Sequence, residues 1–303
     1  MSRQASDVKI LDRFFGLFIG DPGCGKSMAA FSFPGPIYCF DVDGRMRSAV
    51  KHFGLADQTI LESITFDQHK NLDAFATQLE NFQDRCPYKT VIIDSITTLA
   101  QLIIRSVLKS KGGLSLLRDT RAGKKDGREG ARRIGGIIAP GIEEFMAEQQ
   151  AFNEIIALCA GLRCHVIFTG HTTDRTVIPE KGDPDQSKTR RTLLTAGKTV
   201  AAMIPVSFDE VWNFNTEGNL AGDRSYNFRT VDHAGDIGKT SMHLPPKIDW
   251  TRKDDKLPVS ATNGGVYQKI VKLLGKDIEG PLVNTDTEIA AAVEAQSRVQ
   301  SIG

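Results

Sequence analysis

Eight consecutive residues near the start of the chain constrain its fold more than any other feature. Residues 20–27 read Gly-Asp-Pro-Gly-Cys-Gly-Lys-Ser, between an apolar run at 14–19 and a stretch of helical character. This spacing of glycines, lysine and serine requires a strand before it and a helix after it, and its backbone N–H groups can converge on phosphate oxygens. The pattern therefore predicts a nucleotide-binding loop whose members are Gly20, Asp21, Pro22, Gly23, Cys24, Gly25, Lys26 and Ser27, with Met28 directly after it.

A second motif with related chemistry lies at 91–94, where Val-Ile-Ile is followed by Asp94. A phosphate-binding loop of this kind works with a magnesium carboxylate at the end of a neighbouring strand. We expect Lys26 to reach the β- and γ-phosphates of ATP, and Ser27 and Asp94 to bind Mg²⁺. Asp94 could alternatively cap the following helix, but Ser95 already fits that position. The two motifs together predict an enzyme that uses ATP and Mg²⁺.

The rest of the chain has the pattern of an α/β protein. Apolar runs of strand length at 37–40, 90–93, 166–169 and 211–214 alternate with segments of helical period, which predicts a parallel sheet covered by helices on both faces. No apolar run approaches the roughly 18 residues of a membrane span, and the first residues lack an apolar signal segment. The five cysteines have neither metal-site nor disulfide spacing. We expect a cytoplasmic protein without membrane association.

Composition shifts suggest four parts of the chain. We expect an N-terminal arm at 1–13, a nucleotide-binding core at 14–215, a small β extension at 216–262 and a helical C-terminal tail at 263–303. The tail holds one helix with Val266, Ile270 and Leu274 facing inward and a last helix after a capping box at 285–288. Two segments rich in polar and turn-forming residues, about 112–136 and 172–197, are predicted as mobile basic loops of the core.

The residues around Asp94 resemble one group of these ATPases. Ser95 stands where many motor ATPases have glutamate, and the pair is similar to the RecA core group, a resemblance that extends over about 14–214. It implies a RecA-like, mostly parallel twisted sheet flanked by helices. It also implies that Asp43 takes the place of the water-activating glutamate, with Asp41 supporting the phosphate loop, and that His171 senses the γ-phosphate. The catalytic candidates are thus Lys26, Asp43, Asp94 and His171.

Positive charge is concentrated in one segment of an otherwise nearly neutral chain. Residues 105–133 hold ten Lys and Arg against three Asp and Glu, a local charge of +7, whereas the whole chain carries +1. A solvated loop is the plain interpretation of such a run. RecA-like proteins, however, carry DNA-binding loops after the second-motif helix and after the sensor strand. The resemblance therefore implies contacts to single-stranded DNA from Lys124, Lys125, Arg128, Arg132, Arg133, Arg190 and Arg191.

Among RecA-like proteins, the chain most resembles the short ones encoded by bacteriophages, which serve recombination, single-strand annealing or replication. The resemblance implies a homo-oligomer with nucleotide at its subunit interfaces, working in the host cytoplasm, in some cases with other replication or recombination proteins. Two alternatives remain open. The shorter Asp43 also fits a nucleotide-gated helicase-loader or scaffold with weak hydrolysis, and arginines at 118–133 could form the lid of a small-molecule kinase. A GTPase would need a base-reading Asn-Lys-x-Asp motif, which the sequence lacks.

Overall fold

The computed structural model describes residues 13–63, 69–110, 133–134, 137–138, 140–177, 188–218, 224–232, 237–250 and 265–275. The strands are β1 (Phe15–Gly20), β2 (Ile37–Asp41), β3 (Thr59–Ser63), β4 (Thr90–Asp94), β5 (Arg133–Ile134), β6 (Ile137–Ile138), β7 (His165–Val177), β8 (Lys188–Leu193), β9 (Glu210–Gly218), β10 (Arg224–Arg229) and β11 (Lys247–Asp249). The helices are α1 (Lys26–Ala30), α2 (Arg47–Phe53), α3 (His69–Asp84), α4 (Ile96–Ser110), α5 (Ile142–Gly161), α6 (Lys198–Val206) and α7 (Val266–Leu274).

A single large sheet organises the described residues. Its strand order is β11-β10-β9-β1-β7-β4-β2-β3, and β8 pairs with β7 off this path. The strands from β9 to β3 in this order are all parallel to their neighbours, whereas β10, β11 and β8 run antiparallel to theirs. Each predicted apolar run lies in a parallel strand. These strands are buried on both faces of the sheet, which is why their sequences are continuously apolar. The predicted α/β fold class, a mostly parallel sheet flanked by helices, is confirmed.

Alternating side chains of the central strand divide the core into two layers. Phe15, Leu17 and Ile19 of β1 face a cluster that includes residues of α3, α4, α5 and α6. Phe14 and Phe18 face the opposite cluster, with residues of α1, α2 and α7. Since successive side chains of a strand point to opposite faces, an uninterrupted apolar strand must be covered by helices on both sides. Full burial of each such side chain contributes about 1.5–3 kcal/mol.

The segment 172–197 differs from the predicted mobile loop. Strand β7 continues to Val177 and pairs with β8 as an antiparallel hairpin, with Thr172 opposite Leu193 and Asp174 opposite Arg191. Threonines and a valine in β7 favour an extended backbone. The loop was predicted from the many polar residues of this segment, and that criterion took no account of this preference. Residues 178–187 of this segment lie outside the described part of the chain. Of the other predicted loop, at 112–136, the described part is the short strand β5.

The predicted β extension contributes edge strands to the main sheet. β10 and β11 add to β9 in antiparallel order, so this segment continues the core. Helix α7 packs against the face that carries α1, with Val266 and Ile270 buried. The N-terminal residues 1–12 and the helix predicted after residue 285 lie outside the described part of the chain.

Candidate active site

The phosphate-binding loop connects the end of β1 to the start of α1. Two of its glycines are required by close approaches. A Cβ on Gly20 would lie 2.3 Å from the carbonyl oxygen of Phe214, and one on Gly25 would lie 2.7 Å from Cζ3 of Trp250. Gly25 also has a φ of 95°, which side-chain-bearing residues rarely adopt. The loop therefore adopts this shape only with glycine at both positions.

Lys26 has its ammonium group inside the loop. Its Nζ donates hydrogen bonds to the carbonyl oxygens of Gly20 at 2.9 Å and Asp21 at 2.8 Å, and the residue is buried. A cation in a glycine-rich loop at the start of a helix suits a multiply charged anion such as a triphosphate. Cys24 lies beside it, with Nζ and Sγ 3.6 Å apart. Burial raises the pKa of the Cys24 thiol, so this side chain remains neutral and the positive charge of the loop is not cancelled.

Ser27 and Asp94, the two predicted magnesium ligands, are in contact. The Ser27 hydroxyl donates to Oδ1 of Asp94 at 3.4 Å, and Thr169, a residue that the sequence did not single out, donates to the same oxygen. Burial raises the pKa of Asp94 to about 6, with help from the nearby Asp43 and Asp41 carboxylates. An adjacent hydroxyl and carboxylate are hard oxygen ligands of the kind that Mg²⁺ accepts beside substrate phosphates and water, so these residues fit the ion.

Asp43 and His171 form a second polar pair next to the first. Oδ2 of Asp43 lies 3.8 Å from Nε2 of His171, and Oδ1 of Asp43 accepts a hydrogen bond from the Ser95 hydroxyl at 3.1 Å. Burial alone would raise the pKa of Asp43, but hydrogen bonds from His171, Thr98 and Ser95 outweigh it and hold the pKa below its ordinary value. Asp43 is therefore an ionised carboxylate at neutral pH. Such a group can orient a water molecule or accept its proton.

His171 is positioned by its neighbours in the sheet and in α4. It stands opposite Gly20 in the β1–β7 register, and its backbone N–H donates to the Thr97 hydroxyl at 2.9 Å. Its Nδ1 is buried and has no hydrogen-bond partner among the described residues. The backbone of His171 thus lies directly beside the first residue of the phosphate-binding loop.

Asp41 contacts the turn that follows β2. Its carboxylate accepts hydrogen bonds from the backbone N–H groups of Arg45 at 3.0 Å and Met46 at 3.1 Å. These bonds fix the turn after β2 and so the position of Asp43. The reason is local: a buried strand-end carboxylate satisfies the N–H groups of the turn that follows it.

One pocket of about 340 Å³ brings these groups together, a size within the usual range of about 300–1,000 Å³ for small-molecule sites. All four catalytic candidates line it, together with Ser27 and Met28. Gly20 and Asp21 contribute instead through their carbonyl groups, which hold Lys26. The pocket is also lined by side chains that no sequence motif indicated, and Arg45, Tyr226 and Trp250 are among them.

The β7–β8 hairpin contacts the loop through Asp21. Its carboxylate accepts a hydrogen bond from Thr172 of β7 at 3.1 Å and lies 3.5 Å from the guanidinium of Arg191 on β8. Of the predicted DNA contacts, Arg190 is exposed on β8 and Arg133 lies in β5. The other four, Lys124, Lys125, Arg128 and Arg132, lie outside the described residues. The structure therefore places two predicted cations, Arg190 and Arg191, on an element that touches the phosphate loop.

Two kinds of feature are absent from the described residues. No group of three or more His, Cys, Asp or Glu could hold a metal ion on its own. Within the same ranges, no helix has the length and apolar character needed to cross a membrane.

Comparison with known proteins places the chain in a family. A search of curated proteins found no match. Among solved structures, a KaiC-like protein from the hyperthermophilic archaeon Pyrococcus horikoshii is similar at 12% identity and a TM-score of 0.39, over 72% of this chain and 78% of that chain. A family model described as an AAA domain matches residues 15–254. Because this match covers most of the sequence and includes the loop, the Asp94 strand and the pocket, the chain belongs to the AAA-domain family of P-loop ATPases.

Proposed function

We propose that this protein hydrolyses Mg²⁺-bound ATP and couples hydrolysis to binding of single-stranded DNA. One observation carries the coupling. Strand β7 brings His171 to the nucleotide pocket and continues without interruption into the hairpin with Arg190 and Arg191. A change at the γ-phosphate can therefore reach a basic element through a single strand.

Each catalytic candidate has a defined task in this proposal. Lys26 binds the triphosphate, and Ser27 and Asp94 hold Mg²⁺, which when bound neutralises charge that develops on the phosphates. Asp43, kept ionised by Ser95 and His171, orients the attacking water and accepts its proton. The water oxygen bonds to the γ-phosphorus while the bond from that phosphorus to the β–γ bridging oxygen breaks, its electron pair stays on ADP, and ADP and phosphate are the products.

ATP turnover with and without single-stranded DNA tests the proposal. We expect Mg²⁺-dependent turnover that rises when DNA is added, no turnover in Lys26→Ala, and turnover without DNA stimulation in His171→Ala. His52→Ala, at an exposed position on α2, is the matched control and should behave as the wild type. Equal DNA stimulation in wild type and His171→Ala would refute the coupling role, because coupling requires states with different contacts to both ligands.

DNA binding in this proposal is mainly electrostatic. The segments 112–136 and 172–197 contain no aromatic residue for base stacking, so lysines and arginines must supply the affinity. For single strands, log K falls by about 0.7 per neutralised phosphate for each decade of salt. Replacing Lys124, Lys125 and Arg128 with alanine should flatten that slope by about two units. An unchanged slope would place the DNA elsewhere.

The remaining features of the proposal follow from the resemblance to the short phage-encoded RecA-like proteins. They are a homo-oligomer with nucleotide at the subunit interfaces and a role in recombination, annealing or replication. Sedimentation with and without a non-hydrolysable ATP analogue tests the assembly, since nucleotide at an interface should shift the protein to larger species. A monomer under both conditions would contradict it.

A second function is favoured by the surroundings of Asp43. Its carboxylate already accepts a hydrogen bond from Ser95 and pairs with His171, and it is one methylene shorter than glutamate. A protein with this arrangement could bind ATP and hydrolyse it slowly, as a nucleotide-gated helicase-loader or scaffold. Single-turnover measurements separate the two, because a loader would bind ATP tightly and show little DNA-stimulated turnover.

A further inference from the structure

Two aromatic side chains from the end of the main sheet line the pocket of the phosphate-binding loop. Tyr226 belongs to β10, and Trp250 directly follows β11. The backbone N–H of Trp250 donates to the carbonyl of Tyr226 at 2.6 Å, and their ring centroids lie 5.9 Å apart in an edge-to-face arrangement. We call this pair the aromatic wall.

The aromatic wall is in direct contact with the loop. A Cβ placed on Gly25 would lie 2.7 Å from a carbon of the Trp250 ring and 3.3 Å from a carbon of the Tyr226 ring. Both rings are therefore in van der Waals range of the loop backbone, one residue before Lys26. A nucleotide whose phosphates lie in the loop would have its remaining atoms close to these rings.

Strand order separates the aromatic wall from the catalytic carboxylates. The loop follows β1, and the strands on one side of β1 carry His171 within β7, Asp94 at the end of β4 and Asp43 just after β2. The strands on the other side lead through β9 to β10 and β11, which supply the aromatic wall. A ligand that crosses the loop thus meets the charged, hydrolytic groups at one end and aromatic groups at the other.

The chemistry of the aromatic end matches a nucleobase. Aromatic side chains bind bases through their π faces and edges, and Met28 adds an apolar surface in the same pocket. Trp250 also carries a buried indole N–H that has no hydrogen-bond acceptor among the described residues. A buried donor without an acceptor is costly, and a ring nitrogen or carbonyl oxygen of a base would satisfy it.

We propose that Tyr226 and Trp250 contact the base of the bound nucleoside triphosphate and supply the affinity that distinguishes a nucleotide from inorganic tripolyphosphate. This inference rests on the proposed ATP binding at the P-loop. It assigns to the β extension a direct part in the nucleotide site.

The sequence offers an internal probe for this proposal, because the chain has only two tryptophans. Both are buried, but Trp212 stacks on Phe18 and Phe228 in the core, whereas Trp250 lines the pocket. Intrinsic fluorescence of the full chain should change when Mg²⁺ and ATP are added. The change should persist in Trp212→Phe and disappear in Trp250→Phe, and tripolyphosphate should not produce it.

Affinity measurements give the second readout. ATP should bind the wild type roughly 5- to 150-fold more tightly than tripolyphosphate, the range that corresponds to stacking of one base on aromatic side chains. Tyr226→Leu should reduce this ratio while the affinity for tripolyphosphate stays the same. Phe228→Leu is the matched control, because Phe228 is a buried aromatic residue of the same strand that packs on Trp212 and Phe214. It should keep the wild-type ratio.

The possible results separate this proposal from the one on which it rests. If neither ATP nor tripolyphosphate binds the wild type, the proposed ATP binding is wrong and the aromatic wall has no base to contact. If both bind with equal affinity, or if Trp250→Phe keeps the fluorescence change, the P-loop assignment stands and the base contact is refuted.

Discussion

A buried histidine at the start of β7 should make the stability of this protein depend on pH. His165 is 1% exposed, and its Nδ1 accepts a hydrogen bond from the backbone N–H of Phe14 at 3.1 Å. Burial, reinforced by the nearby positive charges of Arg13 and Lys89, lowers the pKa of His165 from 6.5 to about 4. The folded protein therefore keeps this imidazole neutral at pH values where the unfolded chain protonates it.

The magnitude follows from the difference between the two pKa values. Below pH 6.5 the unfolded state binds a proton that the folded state refuses, so the free energy of unfolding falls until the pH reaches about 4. At about 1.36 kcal/mol per pH unit, the full loss is about 3 kcal/mol. Between pH 7 and pH 4.5 the loss is about 2 kcal/mol, a large part of the roughly 5–15 kcal/mol that holds a domain folded.

Urea unfolding at pH 7 and pH 4.5 measures this effect. His165→Asn keeps an acceptor oxygen for the Phe14 N–H but cannot be protonated, so its stability should fall by about 2 kcal/mol less than that of the wild type over the same pH interval. His52→Asn, at an exposed position, is the control and should follow the wild type. Parallel pH dependence in the wild type and His165→Asn would show that the buried imidazole is not the cause.

Three further substitutions test separate parts of the structure. Glu210→Gln should lower the free energy of unfolding, measured by urea or heat, by about 3 kcal/mol, because the buried Glu210 carboxylate accepts hydrogen bonds from Trp212 and from three consecutive residues at 240–242. Glu217→Gln, at an exposed ion pair, is the control and should cost less than about 1 kcal/mol in the same experiment. Gly25→Ala should destabilise the fold more than Gly23→Ala, since both have positive φ but only Gly25 is packed against the aromatic wall, and equal losses of stability would contradict that contact. Asp43→Asn should slow ATP turnover by about 10²- to 10⁴-fold and leave ATP affinity unchanged, whereas loss of affinity in a binding titration would assign Asp43 to metal binding or structure.

The central part of the fold could be predicted because its signals are local. Apolar strands buried on both faces give continuous apolar runs, and these runs lie in β1, β2, β4, β7 and β9. The pairing of β7 with β8 was missed, since both strands are rich in polar residues and the pairing joins two separate segments of the chain. An extended backbone that is partly exposed has no apolar run to identify it.

The phosphate-binding loop and the carboxylate at the end of β4 could be predicted from the sequence, because each depends on a few neighbouring residues and on the element next to them. The distant side chains that complete the site could be identified only from the folded chain. Thr169 reaches Asp94 because β4 and β7 are adjacent, Asp41 serves the turn after its own strand, and Tyr226 and Trp250 meet the loop because β10 and β11 continue the sheet beyond β9. Strand order sets these contacts, and it results from the packing of the whole chain, which no short stretch of residues encodes.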